Sequence, residues 1–309
     1  MRPSTAITSS ILLTLPIKTS VTRVPRLAVL FGLHIVAVGA ITAGILRTFV
    51  EFTWDNPTAS HAVGIPFVTL VLIYMNRDSI FSRVRPSPWV GGVITVAGLA
   101  LAITAHLLTA SAALALSIAT AGIALSWIGG FVGCFGVAAA RAAMFPWAFL
   151  VFMVPMPAIA IDAATSFLKV GSTELVAGLF TLTGTPHFRQ GFVFTLPNLV
   201  IEIADECSGI RSSIALLLTS LLAGHTFLRS PWGRLALVLV ILPIALFKNA
   251  VRIVTLSLLA IHVNPSFLTG QLHHEGGILF FLMSLGLLLP IFLLVRRFEK
   301  PDPEPVQAT

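Results

Sequence analysis

Residues 232–262 read WGRLALVLVILPIALFKNAVRIVTLSLLAIH, an apolar run that only Arg234, Lys248 and Arg252 interrupt with charge before its final histidine. A helix needs about 20 predominantly apolar residues to cross the hydrocarbon core of a bilayer, and this run exceeds that length. A membrane β-barrel would instead show short segments of alternating hydrophobicity. The stretch therefore predicts a membrane-spanning helix.

The composition of the whole chain agrees with this prediction. Of its 309 residues, 56% are hydrophobic and 10% are charged, whereas a soluble domain carries about a quarter charged residues. The net charge of +7 does not indicate nucleic-acid binding, because basic residues in short loops between spans set membrane topology. We predict an all-α, polytopic membrane protein that is embedded in a lipid bilayer and has no nucleic-acid partner.

Turns and charges divide the chain into about eight predicted spans. These are Leu27–Val50, Ala62–Asn76, Trp89–Leu108, Ala112–Ala140, Ala142–Ala160, Cys207–Leu228, Trp232–His262 and Gly276–Val295. We read residues 27–298 as a single transmembrane domain, preceded by a cytoplasmic segment at 1–26 and followed by a disordered cytoplasmic tail at 299–309. The longest connection, from Pro157 to Glu206, is expected at the external membrane interface.

The distribution of Lys and Arg predicts the orientation, because cytoplasmic loops hold the excess of basic residues. Apart from Arg47, Arg211, Lys248 and Arg252, which lie within predicted spans, one side receives every Lys and Arg except Lys169 and Arg189. Both termini are therefore predicted to be cytoplasmic, as an even number of spans requires. We expect a multi-pass protein of the cytoplasmic (inner) membrane.

The sequence around Cys207 is the most unusual in the chain. It reads ECSGIRSS over residues 206–213 and begins the sixth predicted span on the external side. The positive end of a helix dipole favours a thiolate, and Arg211, expected one helical turn further on the same face, favours it too. The alternative is that Cys207 is an inert buried thiol, which we consider the better reading for Cys134.

Two other predicted spans carry ionisable groups towards the external side. Arg252 lies in the external half of the seventh span, and a guanidinium there has to face the bundle interior because it keeps its charge. His273 and His274 precede the eighth span, but adjacent histidines do not share a helix face as metal ligands with H-x-x-x-H spacing do. We therefore predict no metal and no cofactor, and a nucleophile, an oxyanion-stabilising cation and a general base meeting at the external face.

An ordered set of motifs resembles the exosortase/archaeosortase family, whose core would span residues 142–298. The set comprises WAFLVFMVPMP at 147–157, ECSGIRS at 206–212, NAVRI at 249–253, HHEGG at 273–277 and Phe280-Phe281. Asp55, Ser60-His61 and Pro66 resemble the family's first external loop. The resemblance thus covers roughly Glu51 to Phe281, and its most specific element is the string C-S-G-x-R.

This resemblance implies a membrane-embedded cysteine transpeptidase with an externally facing site. The nucleophile would be Cys207, with Arg252 and His273 completing the site. His274 is the rival histidine, although only His273 stands four residues before Gly277, as the family pattern requires. The implied partners are membrane-anchored exported proteins with a C-terminal sorting signal such as PEP-CTERM, together with an acceptor that the sequence does not identify.

Three further residues are candidates for supporting the site or the substrate. Glu206 could orient the histidine or hold a basic segment, or it could be a solvated loop acid; Arg211 would support the site rather than react. Asn249 could cap a helix end or hydrogen-bond across helices. The alternative functions are a transporter, with Arg47, Lys248 and Arg252 lining an anion route, and a non-catalytic component of polysaccharide export.

Overall fold

The computed structural model describes residues 23–268 and 277–299. Long apolar segments form helices throughout these ranges, which confirms the predicted all-α polytopic class. The helices are α1 (Arg23–Ile41), α2 (Ala43–Asp55), α3 (Ile65–Met75), α4 (Arg77–Ile80), α5 (Pro88–Leu108), α6 (Ala112–Phe135), α7 (Val137–Ala142), α8 (Met144–Phe149), α9 (Ala158–Leu182), α10 (Ile210–Phe227), α11 (Pro231–His262) and α12 (Gly277–Phe298).

Within the described ranges, six helices are long and apolar enough to cross a membrane, and two bent helix pairs would raise the count to eight. One bent pair covers 62–83, with an angle of 72°; the other covers 144–182, with an angle of 89°. The eight predicted spans thus appear in order when each bent pair is counted once. Breaks interrupt the first predicted span after Ile41, the fourth at Gly136 and the sixth at Gly209, and the fifth is interrupted as well.

The fifth predicted span departs most from expectation. Instead of one helix over 142–160, α8 continues as a 3₁₀ turn at Leu150–Met153, and α9 begins at Ala158 after Pro155 and Pro157. Proline lacks the N–H of a helical hydrogen bond and disfavours helix in the residue before it. These prolines therefore separate the short α8 from the 25-residue α9.

The connection after α9 folds into a small antiparallel sheet, which the sequence analysis did not predict. Its strands are β1 (Phe188–Gln190), β2 (Val193–Leu196) and β3 (Leu199–Glu202), in that order. Gly191 and Asn198 take positive φ values of 63° and 59° in the two turns. Glycine and asparagine tolerate this left-handed conformation, and Pro197 fixes the preceding turn position.

The tightest helix pair is α5 and α6, which pack through glycines. A Cβ atom built on Gly98 would lie 2.6 Å from the Gly122 carbonyl oxygen, and one built on Gly91 would lie 2.3 Å from the Gly133 nitrogen. Small residues allow membrane helices to approach this closely, and van der Waals contact then holds them together.

The sheet, α9 and α11 share a core that supports the cysteine turn. Val176 and Phe180 of α9 pack with Phe194 of β2 and with Ala250 and Val254 of α11. Phe180 and Phe194 are fully buried, with their ring centroids 5.7 Å apart. This core therefore fixes β3, from which the chain runs directly to Cys207.

Candidate active site around Cys207

Cys207 lies in a 3₁₀ turn, Asp205–Ser208, between β3 and α10. Its N–H donates to the Ala204 carbonyl oxygen at 3.0 Å. Gly209 follows with a φ of 74° and is the N-cap of α10. The thiol is thus carried by a tight turn just before a helix N-terminus, where the helix dipole is positive.

Gly209 is required here for two reasons. Its left-handed φ is unfavourable for any residue with a side chain. In addition, a Cβ atom at this position would lie 2.8 Å from Oδ1 of Asn249 and 3.3 Å from Nζ of Lys248. The turn therefore rests directly against two polar side chains of α11.

Asn249 joins the turn to two neighbouring helices. Its side-chain amide donates to the Cys207 carbonyl oxygen at 2.7 Å and to Oγ of Ser172 on α9 at 3.0 Å. The residue is only 1% exposed. Of the two possibilities considered for Asn249, capping a helix end or hydrogen-bonding across helices, the contact with Ser172 is of the second kind, and the amide also reaches the main chain of Cys207.

A second set of hydrogen bonds fixes the Gly209 carbonyl. The hydroxyls of Ser212 and Ser213 both donate to this oxygen at 2.9 Å. Lys248, which is 3% exposed, donates from its ammonium to Oγ of Ser212. From the sequence, Lys248 is expected within a span, and no role in the cysteine site is predicted for it.

The side chain of Cys207 is half-buried and packs against the core shared by α9, the sheet and α11. Arg252 is also half-buried and follows Asn249 by three residues on α11. One segment of this helix therefore carries both Asn249, which holds the Cys207 carbonyl, and the predicted oxyanion-stabilising cation, Arg252. Cys134 lies elsewhere, in a cluster with Phe131 and Phe135. The two cysteines therefore occupy different environments.

The expected relationship between Cys207 and Arg211 is wrong. The two residues do not share a face one turn apart, because Gly209 separates the 3₁₀ turn of Cys207 from α10, which begins only at Ile210. Arg211 is exposed. Glu206 lies in the same 3₁₀ turn as Cys207, and His273 and His274 lie outside the described residues.

A salt bridge on the outer side of the turn connects it to α9. The Asp205 carboxylate accepts a hydrogen bond from Nζ of Lys169 at 2.9 Å, and the Lys169 ammonium also lies 4.5 Å from the centroid of the Phe192 ring. The Asp205 side chain is 71% exposed. This pair is a surface contact, unlike the buried contacts made by Asn249 and Lys248.

An apolar cavity of about 620 Å³ borders the same helix. Ile210 and Ser213 of α10 contribute to its wall, and Ala164 of α9 and Ala245 of α11 lie opposite. His61 also lines it; burial lowers the pKa of His61, and a hydrogen bond with the Thr58 main chain opposes this shift. The cavity thus begins within a few residues of Cys207.

The described His, Cys, Asp and Glu side chains are not clustered as metal ligands. Within residues 23–268 and 277–299, no group of three or more His, Cys, Asp or Glu side chains is arranged to hold a metal ion. The described residues instead place the Asn249 amide and the Lys248 ammonium beside the Cys207 turn.

Comparison with known families matches residues 53–290 to the model of the transmembrane exosortases. The match includes Cys207, Asn249 and Arg252, and it extends upstream through the first loop as the sequence resemblance predicted. Neither the curated proteins nor the solved structures give a significant match. Because the family model covers more than half of the chain, this protein belongs to the transmembrane exosortase family.

Proposed function

We propose that this protein is a cysteine transpeptidase that cleaves a C-terminal sorting signal, of the PEP-CTERM kind, from exported membrane-anchored proteins. The observation that carries the proposal is the turn of Cys207, whose carbonyl is held by buried Asn249 three residues before Arg252. A nucleophile needs a fixed position relative to the group that stabilises charge in the transition state. Family membership supports the same reaction class.

In the proposed reaction, the Cys207 thiolate attacks the carbonyl carbon of the scissile peptide bond. The carbonyl oxygen becomes an oxyanion, which the guanidinium of Arg252 stabilises. The C–N bond then breaks, the amine of the C-terminal fragment leaves with a proton, and the rest of the substrate remains bound to sulfur as a thioester. An acceptor nucleophile, or water, attacks the thioester and regenerates the thiol.

His273 is the proposed general base and acid in this cycle, with His274 as the rival. An imidazole near neutral pKa accepts the thiol proton and returns it to the leaving amine. The proposal places the site on the external side of the cytoplasmic membrane, where an exported substrate leaves the bilayer. This orientation rests on the distribution of basic residues between loops.

The apolar cavity is suited to binding a hydrophobic segment of the substrate. Its walls come from the segment 151–157 and from α9, α10 and α11, and the described lining residues include only His61 and Ser213 with polar side chains. Ile210 lies three residues after Cys207 and faces this space. We place the hydrophobic segment that follows the cleavage site here, because it would then enter beside the nucleophile.

The test is intact-mass analysis of an N-terminally tagged substrate, an exported protein of the same host with a C-terminal apolar helix and basic tail. It is co-expressed with wild-type enzyme or with Cys207→Ala, Cys207→Ser, Arg252→Lys or Cys134→Ala at matched enzyme levels. Wild type and Cys134→Ala are expected to release the tail, and the two Cys207 variants to leave the substrate intact. Arg252→Lys loses the planar fork of donors, so we expect a loss of roughly 100-fold or more.

The same experiment separates the alternatives. Transfer adds the mass of an acceptor to the new C-terminus, whereas hydrolysis adds only water. Undiminished cleavage by Cys207→Ala would exclude the proposed nucleophile. A transporter or a non-catalytic export component would leave the substrate intact with every enzyme variant, including wild type.

A further inference from the structure

Lys248 is a buried cation in the middle of a membrane helix. It is 3% exposed, and α11 places it one turn before Arg252, so two positive charges stand four residues apart. Burial of an ammonium is unfavourable, and like charges at this helical spacing add to the cost. Ionisable residues in such places are usually functional.

The contacts of Lys248 lead to the cysteine turn. Its ammonium donates to Oγ of Ser212, and that hydroxyl in turn donates to the Gly209 carbonyl oxygen at 2.9 Å. Nζ also lies 3.3 Å from the place where a Cβ of Gly209 would stand. A chain of hydrogen bonds thus runs from the middle of α11 to the residue two positions after Cys207.

The neighbouring residue holds the other end of the same turn. Asn249 donates to the Cys207 carbonyl oxygen, and Lys248 acts on the Gly209 carbonyl oxygen through Ser212. Two consecutive residues of α11 therefore hold the carbonyl groups on both sides of Ser208. The described hydrogen-bond partner of the Lys248 ammonium is Ser212 of α10. Helix packing alone would not require a lysine that donates a hydrogen bond to Ser212.

We propose that Lys248 is a positioning residue of the cysteine site, acting through Ser212 to hold the Gly209 turn and to keep a positive charge beside Cys207. This role deepens the proposed function and rests on it. It is distinct from that of Arg252, which would touch the reacting oxygen. A fixed positive charge near a cysteine favours the thiolate, the form that attacks.

The experiment uses the full-length protein in detergent, in a Cys134→Ala background, so that Cys207 is the only thiol. The rate of Cys207 alkylation by iodoacetamide is measured without substrate, and cleavage kinetics are measured with the tagged substrate. The variants are Lys248→Met, Lys248→Arg, Ser212→Ala and the double variant Lys248→Met/Ser212→Ala. Ser220→Ala is the control, because Ser220 is a second serine of α10, is buried, and has no hydrogen-bond partner for its hydroxyl among the described residues.

We expect Lys248→Met to lower both alkylation and kcat by about tenfold, the scale of one hydrogen bond from a charged group, with KM little changed. Ser212→Ala should lower both rates by about threefold, since its loss frees the ammonium without removing it. The double variant should be no slower than Lys248→Met, because the two residues act in one chain. Lys248→Arg should recover at least part of both rates, and Ser220→Ala should match wild type.

Alkylation and kcat within about twofold of wild type in both Lys248→Met and Ser212→Ala would overturn the proposal. Additive losses in the double variant would also overturn it. If Lys248→Met does not fold, Ser212→Ala decides alone, because it removes a single hydroxyl. If no variant, wild type included, cleaves substrate, the proposed function fails, while the alkylation rates still report whether Lys248 acts on Cys207.

Discussion

The side-chain amide of Asn249 holds the main-chain carbonyl of Cys207 at 2.7 Å. A loop that leads into a membrane helix is thereby fixed to the interior of the next helix along the chain. The contact is to the backbone, so it fixes where the cysteine stands without constraining the thiol. The proposed nucleophile requires a base fixed in this way, because its reaction depends on the position of the sulfur relative to the substrate.

The first prediction concerns this contact. Asn249→Leu keeps the size of the side chain but leaves the buried Cys207 carbonyl without its donor, so we expect substrate cleavage to fall about tenfold or more. Ser172→Ala is the control, since it removes the other partner of Asn249 and leaves the bond to Cys207 in place. Cleavage at matched enzyme levels is the measurement. Equal losses in the two variants would contradict a specific role for the Cys207 contact.

The second prediction concerns Gly209. Gly209→Ala should abolish cleavage for two reasons. The added methyl group would lie 2.8 Å from Oδ1 of Asn249, and alanine would strain a backbone with a φ of 74°. Gly184→Ala is the matched control, with a φ of 67° and no atom within 4 Å of the added Cβ. It should cost about 1 kcal/mol of stability from strain alone and leave cleavage close to wild type. A similar loss of cleavage in both variants would mean that strain, not the contact, is responsible.

The third prediction tests the substrate segment placed in the apolar cavity. Ala164→Trp fills part of the cavity. The KM for the substrate should therefore rise about tenfold, the scale expected for losing a small apolar contact in a hydrophobic pocket, while kcat changes little. Ala163→Trp is the control, because Ala163 is exposed on the same helix and does not line the cavity. An unchanged KM in Ala164→Trp would exclude the cavity as the binding place.

The sequence identified the elements of the site whose chemistry is unusual for a membrane helix. Cys207, Asn249 and Arg252 stand out in apolar surroundings, and the structure carries all three on the Cys207 turn and the adjoining segment of α11. Membrane helices are also easy to recognise, because length and hydropathy suffice. The all-α polytopic class was therefore predictable without any structural information.

The contacts between elements were not predictable in the same way. The partner of Lys248 is a serine 36 residues earlier, and only the packing of α10 on α11 decides which serine that is. The sequence predicts one helix from Cys207 to Leu228, whereas Gly209 separates the 3₁₀ turn of Cys207 from α10. Its glycine, directly before the helical run, was the available cue for a helix start.

The sheet was missed because its strands are only three or four residues long, too short to show a period of two. The dipeptide Pro197-Asn198 between VFTL and LVIE was a turn signal of the kind that joins two strands. Its meaning was obscured by the expectation that an apolar external connection lies along the membrane interface.

The fourth prediction concerns orientation, which the basic residues indicate but the fold does not fix. Single cysteines at Gln190 and at Ser82, each in a chain without Cys134 and Cys207, lie in regions assigned to opposite sides, and both native side chains are exposed. A membrane-impermeant maleimide should label Gln190→Cys in intact cells and Ser82→Cys only after lysis. The reverse pattern would place the cysteine turn in the cytoplasm.

The fifth prediction concerns pH. Glu299, just after α12, accepts the main-chain N–H groups of Arg229 at 3.0 Å and Ser230 at 2.8 Å, and the Arg229 N–H is the main cause of its lowered pKa. Because the folded pKa lies below the ordinary value, this carboxylate stabilises the fold above about pH 4.5 and loses the contribution as pH falls through the lowered pKa.

Glu299→Gln should therefore lower the thermal unfolding midpoint by about 1–3 °C at neutral pH, in the range of a weak capping interaction. The difference from wild type should shrink as the pH falls below 4.5, and it should be insensitive to pH between 6 and 8. A difference that persists at the most acidic pH would show that the stabilisation does not depend on the charge.

The glycine contact between α5 and α6 has a consequence for how the protein is made. Only residues 109–111 separate the two helices, and the atoms nearest to the Cβ positions of Gly98 and Gly122 all belong to α5 or α6, so this contact can form before later segments are translated. The cysteine turn, its α11 clamp and the strands are translated later. We therefore expect a substitution at Gly98 or Gly122 to lower the amount of protein that assembles in the membrane rather than the activity of each molecule.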